Sequence, residues 1–148
     1  MNTATWDRHL LANGVLLFCS FMACAIGPAR AADPDLPGMF DFSDGEQVYT
    51  HLCQGCHMPD GRGAQGAGHY PALAGDPALA SANFVAATIL NGRRNMPSFK
   101  HDENFEFFFG PTWLTDTQVA NVVNYVRTHF GNRFEGAITP AEVATLHP

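Results

Sequence analysis

The chain has little cysteine, little positive charge, and no long apolar run after its first 31 residues. Its four cysteines are Cys19, Cys24, Cys53 and Cys56. The first two fall within LLANGVLLFCSFMACAI, residues 10–26, an apolar run of 17 residues preceded by Arg8 and His9. Pro28 breaks this run, and Ala29-Arg30-Ala31 places small residues at the positions a signal peptidase reads. The pattern is that of a secretory signal peptide over 1–31, cut between Ala31 and Ala32. A retained anchor is the alternative, but the run is at the short end for a membrane span and contains Asn13 and Gly14. Lipidation at Cys24 would set Phe21 where a small aliphatic residue is expected. Cleavage leaves 117 residues, enough for one modest core, with no stable membrane insertion expected. Cys53 and Cys56 are then the remaining cysteines, and a disulfide between them would close a tiny loop that stabilises little.

The shortage of positive charge excludes another class. Lys and Arg number 8 against 14 Asp and Glu, a net charge of −6. Without the signal the counts are 6 and 13, and the net charge is −7. Nucleic acid requires a basic face, so it is not an expected partner. An acidic chain suits a basic protein partner or simply solubility.

No internal repeat and no convincing strand is visible. Residues 32–42 are rich in Pro, Asp and Gly and read as an extended lead-in. Ser43-Asp44-Gly45-Glu46 reads as a capping box, with Ser43 as the cap of a helix over 44–54. Val48 and Leu52 would share one face of it, with Gly45 and Tyr49 on an adjoining one. GRGAQGAGHYPALAGD is too rich in glycine for a regular element, and suits backbone that must approach something flat and close. Leu79, Phe84, Ile89 and Leu90 recur at helical spacing and predict a helix over 80–91, closed by Gly92. Thr115 to Gln118 is a second capping box. The apolar positions 119, 122, 123, 126 and 130 then predict a helix closed by Gly131. Thr139-Pro140-Ala141-Glu142 starts a short helix to about Leu146.

The chemistry is concentrated in HLCQGCHMPDGRG, residues 51–63. A zinc site needs four ligands at paired spacings, and neither a second CxxC nor an H-x₃₋₅-H grouping accompanies this pair. A thioredoxin-like centre needs a βαβ context, which is missing. C-x-x-C-H is the attachment pattern of a c-type haem. Cysteines three apart share one face of a helical turn and present two sulfurs to two vinyl groups. His57 follows directly and can bind the iron. Export and the lack of other mature cysteines agree with this. Met96, 39 residues after His57 and followed by Pro97, is the candidate for the second axial position. His69, His101 and His129 are its rivals; Met58 is too close to His57, and Met39 precedes the first helix.

GEQVYTHLCQGCH, the loop to YPALAG, NGRRNMPSF and LTDTQVANVVNYVR together resemble a monohaem c-type cytochrome of the soluble, Met/His-ligated class. The resemblance covers about Ser43 to Gly131. It implies an all-α fold: a small cytochrome c fold of three to five helices, with long loops around one covalent haem. On it, 43–131 is the cytochrome c domain and 132–148 a C-terminal extension. It implies that the first and last helices cross through Gly45 and Tyr49 against Val122 and Tyr125. It implies that the Pro71 carbonyl accepts from the free ring N–H of His57, and that Leu73 packs on the haem. YVRTHFGNRFEGAITPAEV further resembles cytochrome subunits that partner dehydrogenases. KHDENFEFFFGPTW, residues 100–113, departs from simpler relatives. Phe105, Phe107, Phe108, Phe109 and Trp113 would fold over the haem edge or form a docking surface. Asp60, Arg62, Arg93 and Arg94 read as solvated loop charges, or an arginine as the partner of a haem propionate.

The function expected is a periplasmic carrier of single electrons rather than an enzyme. Haem c would be held by Cys53 and Cys56, with His57 and Met96 on the iron and Pro71 and Leu73 in the pocket. Expected partners are a dehydrogenase donor and an oxidase or other cytochrome as acceptor. The alternative is a haem enzyme or gas sensor with an open iron position.

Overall fold

The computed structural model describes residues 39–66, 68–101 and 112–147. The chain divides into two units, Met1–Ala32 and Asp33–Pro148, and every described residue belongs to the second. The expected signal peptide, Cys19 and Cys24, most of the lead-in, and Phe105, Phe107, Phe108 and Phe109 lie outside the described residues.

The chain enters along Phe40–Phe42, whose rings stack 5.1 Å apart. It turns at Asp44 into α1 (Gly45–Val48), a π turn (Tyr49–Cys53) and α2 (Gln54–His57), which follow one another without a break. The cap is Asp44 rather than Ser43. Its Oδ1 accepts from the N–H of Glu46 at 2.9 Å and of Gln47 at 3.2 Å, and a carboxylate suits the positive end of a helix better than a hydroxyl. The rod also runs past 54 to His57. In the π turn the N–H of Gln54 bonds the carbonyl of Tyr49, five residues back. One extra residue in a turn rotates everything after it by about 100°. Leu52, half-buried, still packs against the core that holds the fully buried Val48, and the rotation falls on the residues after the turn.

Two short antiparallel strands, β1 (Ala64–Gln65) and β2 (His69–Tyr70), interrupt the glycine-rich loop where no strand was expected. Four residues of 3₁₀ helix (Pro77–Ala80) lead into α3 (Ala82–Asn91), capped by Ser81, whose hydroxyl accepts from Phe84 N–H. Gly92 ends α3 at φ +70°, as expected. Phe84 is not on the core face: it is 43% exposed, and Arg93 lies over its ring at 5.7 Å. The inward positions are Val85, Ala86, Ile89 and Leu90.

The central element is α4 (Asp116–Thr128). It starts with the expected reciprocal capping box between Thr115 and Gln118. Val119, Val122, Val123 and Val126 are buried along it. It stops at Thr128, short of Phe130. His129 is extended and Phe130 has φ +57°, which brings the Phe130 ring against Tyr49 at 4.8 Å. α5 (Pro140–Ala144) has its own capping box and packs back on α4, with Val143 fully buried. The N–H and hydroxyl of Thr139 hold the exposed Glu142 carboxyl below its usual pKa. Past it, His147 Nε2 reaches Asp116 Oδ1 at 2.6 Å.

α1 crosses α4 with almost no gap. A Cβ on Gly45 would sit 2.8 Å from Tyr125 Cβ and would collide with the Asn121 carbonyl oxygen. The contact partners are therefore Asn121 and Tyr125, while Val122 is buried beside them. Gly45→Ala must push two helices apart, and should cost about 1–3 kcal/mol in urea unfolding. An unchanged denaturation midpoint would mean that the crossing is looser than this geometry.

Arg127 is 3% exposed, and its partners are carbonyls rather than carboxylates. Nε donates to Leu79 at 2.9 Å, Nη2 to Glu135 at 2.7 Å and Ala80 at 3.3 Å, and Nη1 to Gly136. One fork thus joins the 3₁₀ segment to the C-terminal extension. Arg127→Leu removes every donor at once. Each buried carbonyl left unpaired costs roughly 1–3 kcal/mol, with water recovering part, so a loss of about 2–4 kcal/mol is expected. Arg127→Lys should recover only part of it, since one ammonium cannot reach all four carbonyls.

Candidate functional site

The CxxCH segment lies on the last turns of the first helical rod. Tyr49 and Val48 anchor that rod in the core, and the π turn then sets the direction of Cys53, Cys56 and His57. No disulfide joins the two cysteines, of which Cys53 is half-buried and Cys56 exposed. Burial pushes the Cys53 thiol up to about 12, with the neighbouring Cys56 adding to it. Disulfide-exchange enzymes need the opposite, a thiol whose pKa is depressed.

The rod ends abruptly at Met58, which has φ +64°. Tyr49 accounts for this turn. Its hydroxyl donates to the Met58 carbonyl at 2.6 Å, and Gly61 N–H donates to the same oxygen at 3.1 Å. Burial raises the Tyr49 phenol to about 12, with Cys53, Tyr125 and Asp60 adding, so it stays a donor at any ordinary pH. Gly63 N–H then donates to the His57 carbonyl at 3.0 Å. The chain after His57 is folded back under the helix end that carries it.

That fold-back brings Pro71 to His57. The Pro71 carbonyl lies 2.9 Å from His57 Nδ1. A carbonyl can only accept, so Nδ1 carries the proton and Nε2 is left as the lone-pair nitrogen. No described residue bonds Nε2. The approach depends on Gly63: a Cβ there would lie 2.7 Å from the Pro71 oxygen, and the backbone is at φ +64°. Leu73 and Ala74 both donate to the Gly61 carbonyl, at 2.7 and 2.9 Å. The half-buried Leu73 side chain packs against the edge of the core.

Met96 sits in a tight turn after α3. Arg93 and Met96 exchange backbone hydrogen bonds of 3.1 and 3.0 Å around Arg94, which has φ +55°. Phe99 N–H bonds the Ile89 carbonyl at 3.0 Å, fastening the far side of the turn to α3. The Met96 side chain is half-buried against the core, as are Phe99, Leu73 and Cys53. Met96, Phe99 and Leu73, each partly covered against the same core, two cysteines on one helical turn, and a histidine whose Nε2 no described residue bonds are the kinds of group that would hold a flat apolar cofactor with a metal at its centre.

The rival histidines are engaged differently. His129 stacks on Tyr125 at 3.9 Å, with its Nδ1 on the Tyr125 carbonyl at 2.8 Å. His101 lies edge-on to Trp113 at 4.5 Å, and His69 is exposed on β2. Arg62 sits 3.5 Å from Asp60 with both side chains largely exposed, as expected of loop charges.

Three residues of this region escaped the sequence reading. The Tyr49 hydroxyl was hidden because its ring already had a packing role. Arg127 was visible as a charge beside an apolar stripe but carried no indication of its partners. Asn132 follows Gly131 like any polar loop residue, yet it is 5% exposed and makes three hydrogen bonds. Nothing local in the sequence distinguishes it.

Comparison with known proteins agrees with the geometry. The family model for cytochrome c matches residues 42–130. The cytochrome subunit of fructose dehydrogenase from Gluconobacter japonicus is 35% identical over 99 residues, 61% of this chain and 19% of that protein. The cytochrome c subunit of a quinone alcohol dehydrogenase from Gluconobacter oxydans is 33% identical over 109 residues, 69% of this chain and 21% of that protein. The cytochrome c subunit of gluconate 2-dehydrogenase from Pantoea cypripedii is 32% identical over 112 residues, covering 72% and 24%. The match thus spans about a fifth of the length of these relatives. With the family model covering more than half its length and the CxxCH rod, glycine loop and methionine turn in place, the chain belongs to the cytochrome c family.

Proposed function

We propose that this chain is exported and carries single electrons, as the cytochrome partner or subunit of a dehydrogenase. Its haem c would be joined to Cys53 and Cys56, with His57 and Met96 as the axial ligands. When bound, the haem supplies a one-electron change between ferrous and ferric iron. The observation that carries the ligand assignment is the His57 Nδ1–Pro71 oxygen distance of 2.9 Å. It holds the imidazole in the tautomer that offers Nε2 and raises its basicity. The methionine turn supports the second ligand. A thioether is a weak ligand, and its loop is held by backbone bonds and by Pro97 rather than by the metal. Leu73 and Phe99, half-buried against the core, would cover part of a bound haem, which would favour the less charged, reduced state. The protein's work is holding and tuning rather than proton transfer.

Export is supported by residues 1–31 and by c-type haem attachment being an extracytoplasmic chemistry. No helix among the described residues is long and apolar enough to cross a membrane. The dehydrogenase as donor is carried over from the printed names of the relatives. An oxidase or another cytochrome would accept the electron. We assign 43–131 to the haem-bearing domain and 132–148 to an extension that braces it through Arg127 and Asn124.

Two measurements decide the ligand set. Oxidised protein should show the weak far-red absorption of a methionine–iron bond, and carbon monoxide should leave the reduced spectrum unchanged. Prompt binding of carbon monoxide would instead favour a haem enzyme or gas sensor. Met96→His should keep the haem and lower the midpoint potential, because imidazole favours ferric iron more than a thioether does. An unchanged potential would remove Met96 from the iron.

Covalent attachment has a separate test. Haem should stay with the wild-type polypeptide in acidified acetone. From the double variant Cys53→Ala, Cys56→Ala it should be extracted entirely. Retention by the double variant would place the linkage elsewhere.

A further inference from the structure

Asn132 lies beyond the end of α4. Phe130 and Gly131, at φ +57° and +83°, reverse the chain and place the Asn132 side chain under the helix end. Its Nδ2 donates to the Val126 carbonyl at 2.8 Å and to the Leu73 carbonyl at 3.0 Å, 59 residues away. Its Oδ1 accepts from Gly75 N–H at 2.9 Å. The network settles the amide's orientation, because turning it over would set N–H against N–H. Nothing else of this size offers two donors and an acceptor: aspartate only accepts and leucine does neither.

The segment it grips is the one that carries Pro71. On one side, Leu73 and Ala74 N–H groups hold the Gly61 carbonyl. On the other, Asn132 holds Leu73 and Gly75. Residues 71–75 are thus clamped from both directions, with the Pro71 oxygen two residues from the clamp and on the His57 ring. We infer that Asn132 is a positioning residue for His57: by fixing the 73–75 turn against the end of α4, it fixes the Pro71 carbonyl and so the hydrogen bond that orients the ring and raises its basicity. This rests on the assignment of His57 as the proximal ligand.

The same helix provides a matched control. Asn124 makes an equivalent two-way amide clamp, Nδ2 to the Ile138 carbonyl and Oδ1 from Ile138 N–H, both at 2.9 Å, but on the C-terminal extension. A merely structural role for Asn132 would make the two positions equivalent.

The test uses reduced, haem-loaded protein. The solvent exchange of the His57 Nδ1 proton is followed by nitrogen-15 NMR, together with the midpoint potential and the melting temperature. Asn132→Ala and Asn132→Asp should each speed that exchange about tenfold or more, the effect of losing roughly one hydrogen bond's worth of support. Asn132→Ala should raise the midpoint potential, since a weaker bond from Nδ1 makes the imidazole a poorer donor to ferric iron. The carboxylate of Asn132→Asp favours ferric iron by its own charge, so that variant is read by exchange alone. Asn124→Ala should lower the melting temperature and leave exchange and potential as in the wild type. Asn132→Asp keeps the acceptor for Gly75 N–H, so it carries the test if Asn132→Ala does not accumulate. Equal responses at both positions, or no response at Asn132, would overturn the role of Asn132 alone. A wild-type protein without a haem-shifted His57 ring proton would overturn the ligand assignment, and this inference with it.

Discussion

The close crossing of α1 over α4 at Gly45 is the constraint from which the rest follows. Hydrogen in place of a side chain lets the Asn121 carbonyl and the Tyr125 Cβ meet backbone directly. Only at that separation does Tyr49 enter the core, pack on Tyr125 and Phe130, and turn its hydroxyl to the Met58 carbonyl. The end of the rod, with its two cysteines and its histidine, is therefore aimed by a contact about three turns earlier.

A second organising device lies along α4. Gln118, Asn121, Asn124 and Arg127 recur every third residue, and each donates to backbone carbonyls outside the helix, the first two to the entering chain and the last two to the C-terminal extension. Gln118 holds Phe40 and Phe42, and Asn121 holds Ser43. Asn124 holds Ile138, and Arg127 holds Leu79, Ala80, Glu135 and Gly136. Asn132 continues the series beyond the helix. A fold with long loops has many carbonyls outside regular ladders, and buried ones must find donors. Here a single helix supplies many of them, beside the valine stripe that supplies its apolar contacts. The C-terminal extension is part of the same scheme, docked by Arg127, Asn124 and the His147–Asp116 pair.

The candidate site combines this rigidity with weak bonds placed with care. The glycine-rich loop serves close backbone approach, as its composition suggested, but at particular points: Gly61 under Phe130 and Gly63 against Pro71. The methionine turn is closed by its own backbone bonds before any metal is considered.

Much of this was legible beforehand. CxxCH, the Met-Pro pair, the capping boxes at Thr115 and Thr139, and Gly92 as a helix stop are local signals, written in adjacent residues with local physical causes. The bond between Pro71 and His57 came from family resemblance and appears in the geometry at 2.9 Å. Other readings failed where spacing alone did not decide the outcome. Asp44 displaced Ser43 as the cap, and Asn121 took the Ser43 carbonyl. Phe84 had the spacing of a core residue but turned outward, under Arg93. The π turn changes the register after Cys53, which periodicity cannot foresee, while Leu52 still packs against the core that holds Val48.

What the sequence determined by itself was the set of attachment and ligand candidates and the two capping boxes at Thr115 and Thr139, because these depend on residues within one turn of each other. The tertiary structure decided which polar side chains are buried and whose carbonyls they serve. Gln118 was legible only as part of a capping box, and the bonds that it, Asn121, Asn124, Arg127 and Asn132 make to other segments exist only once those segments are folded over them. A hydrogen bond across 59 residues has no signature in either residue's neighbours; it exists only once packing has brought the two segments together.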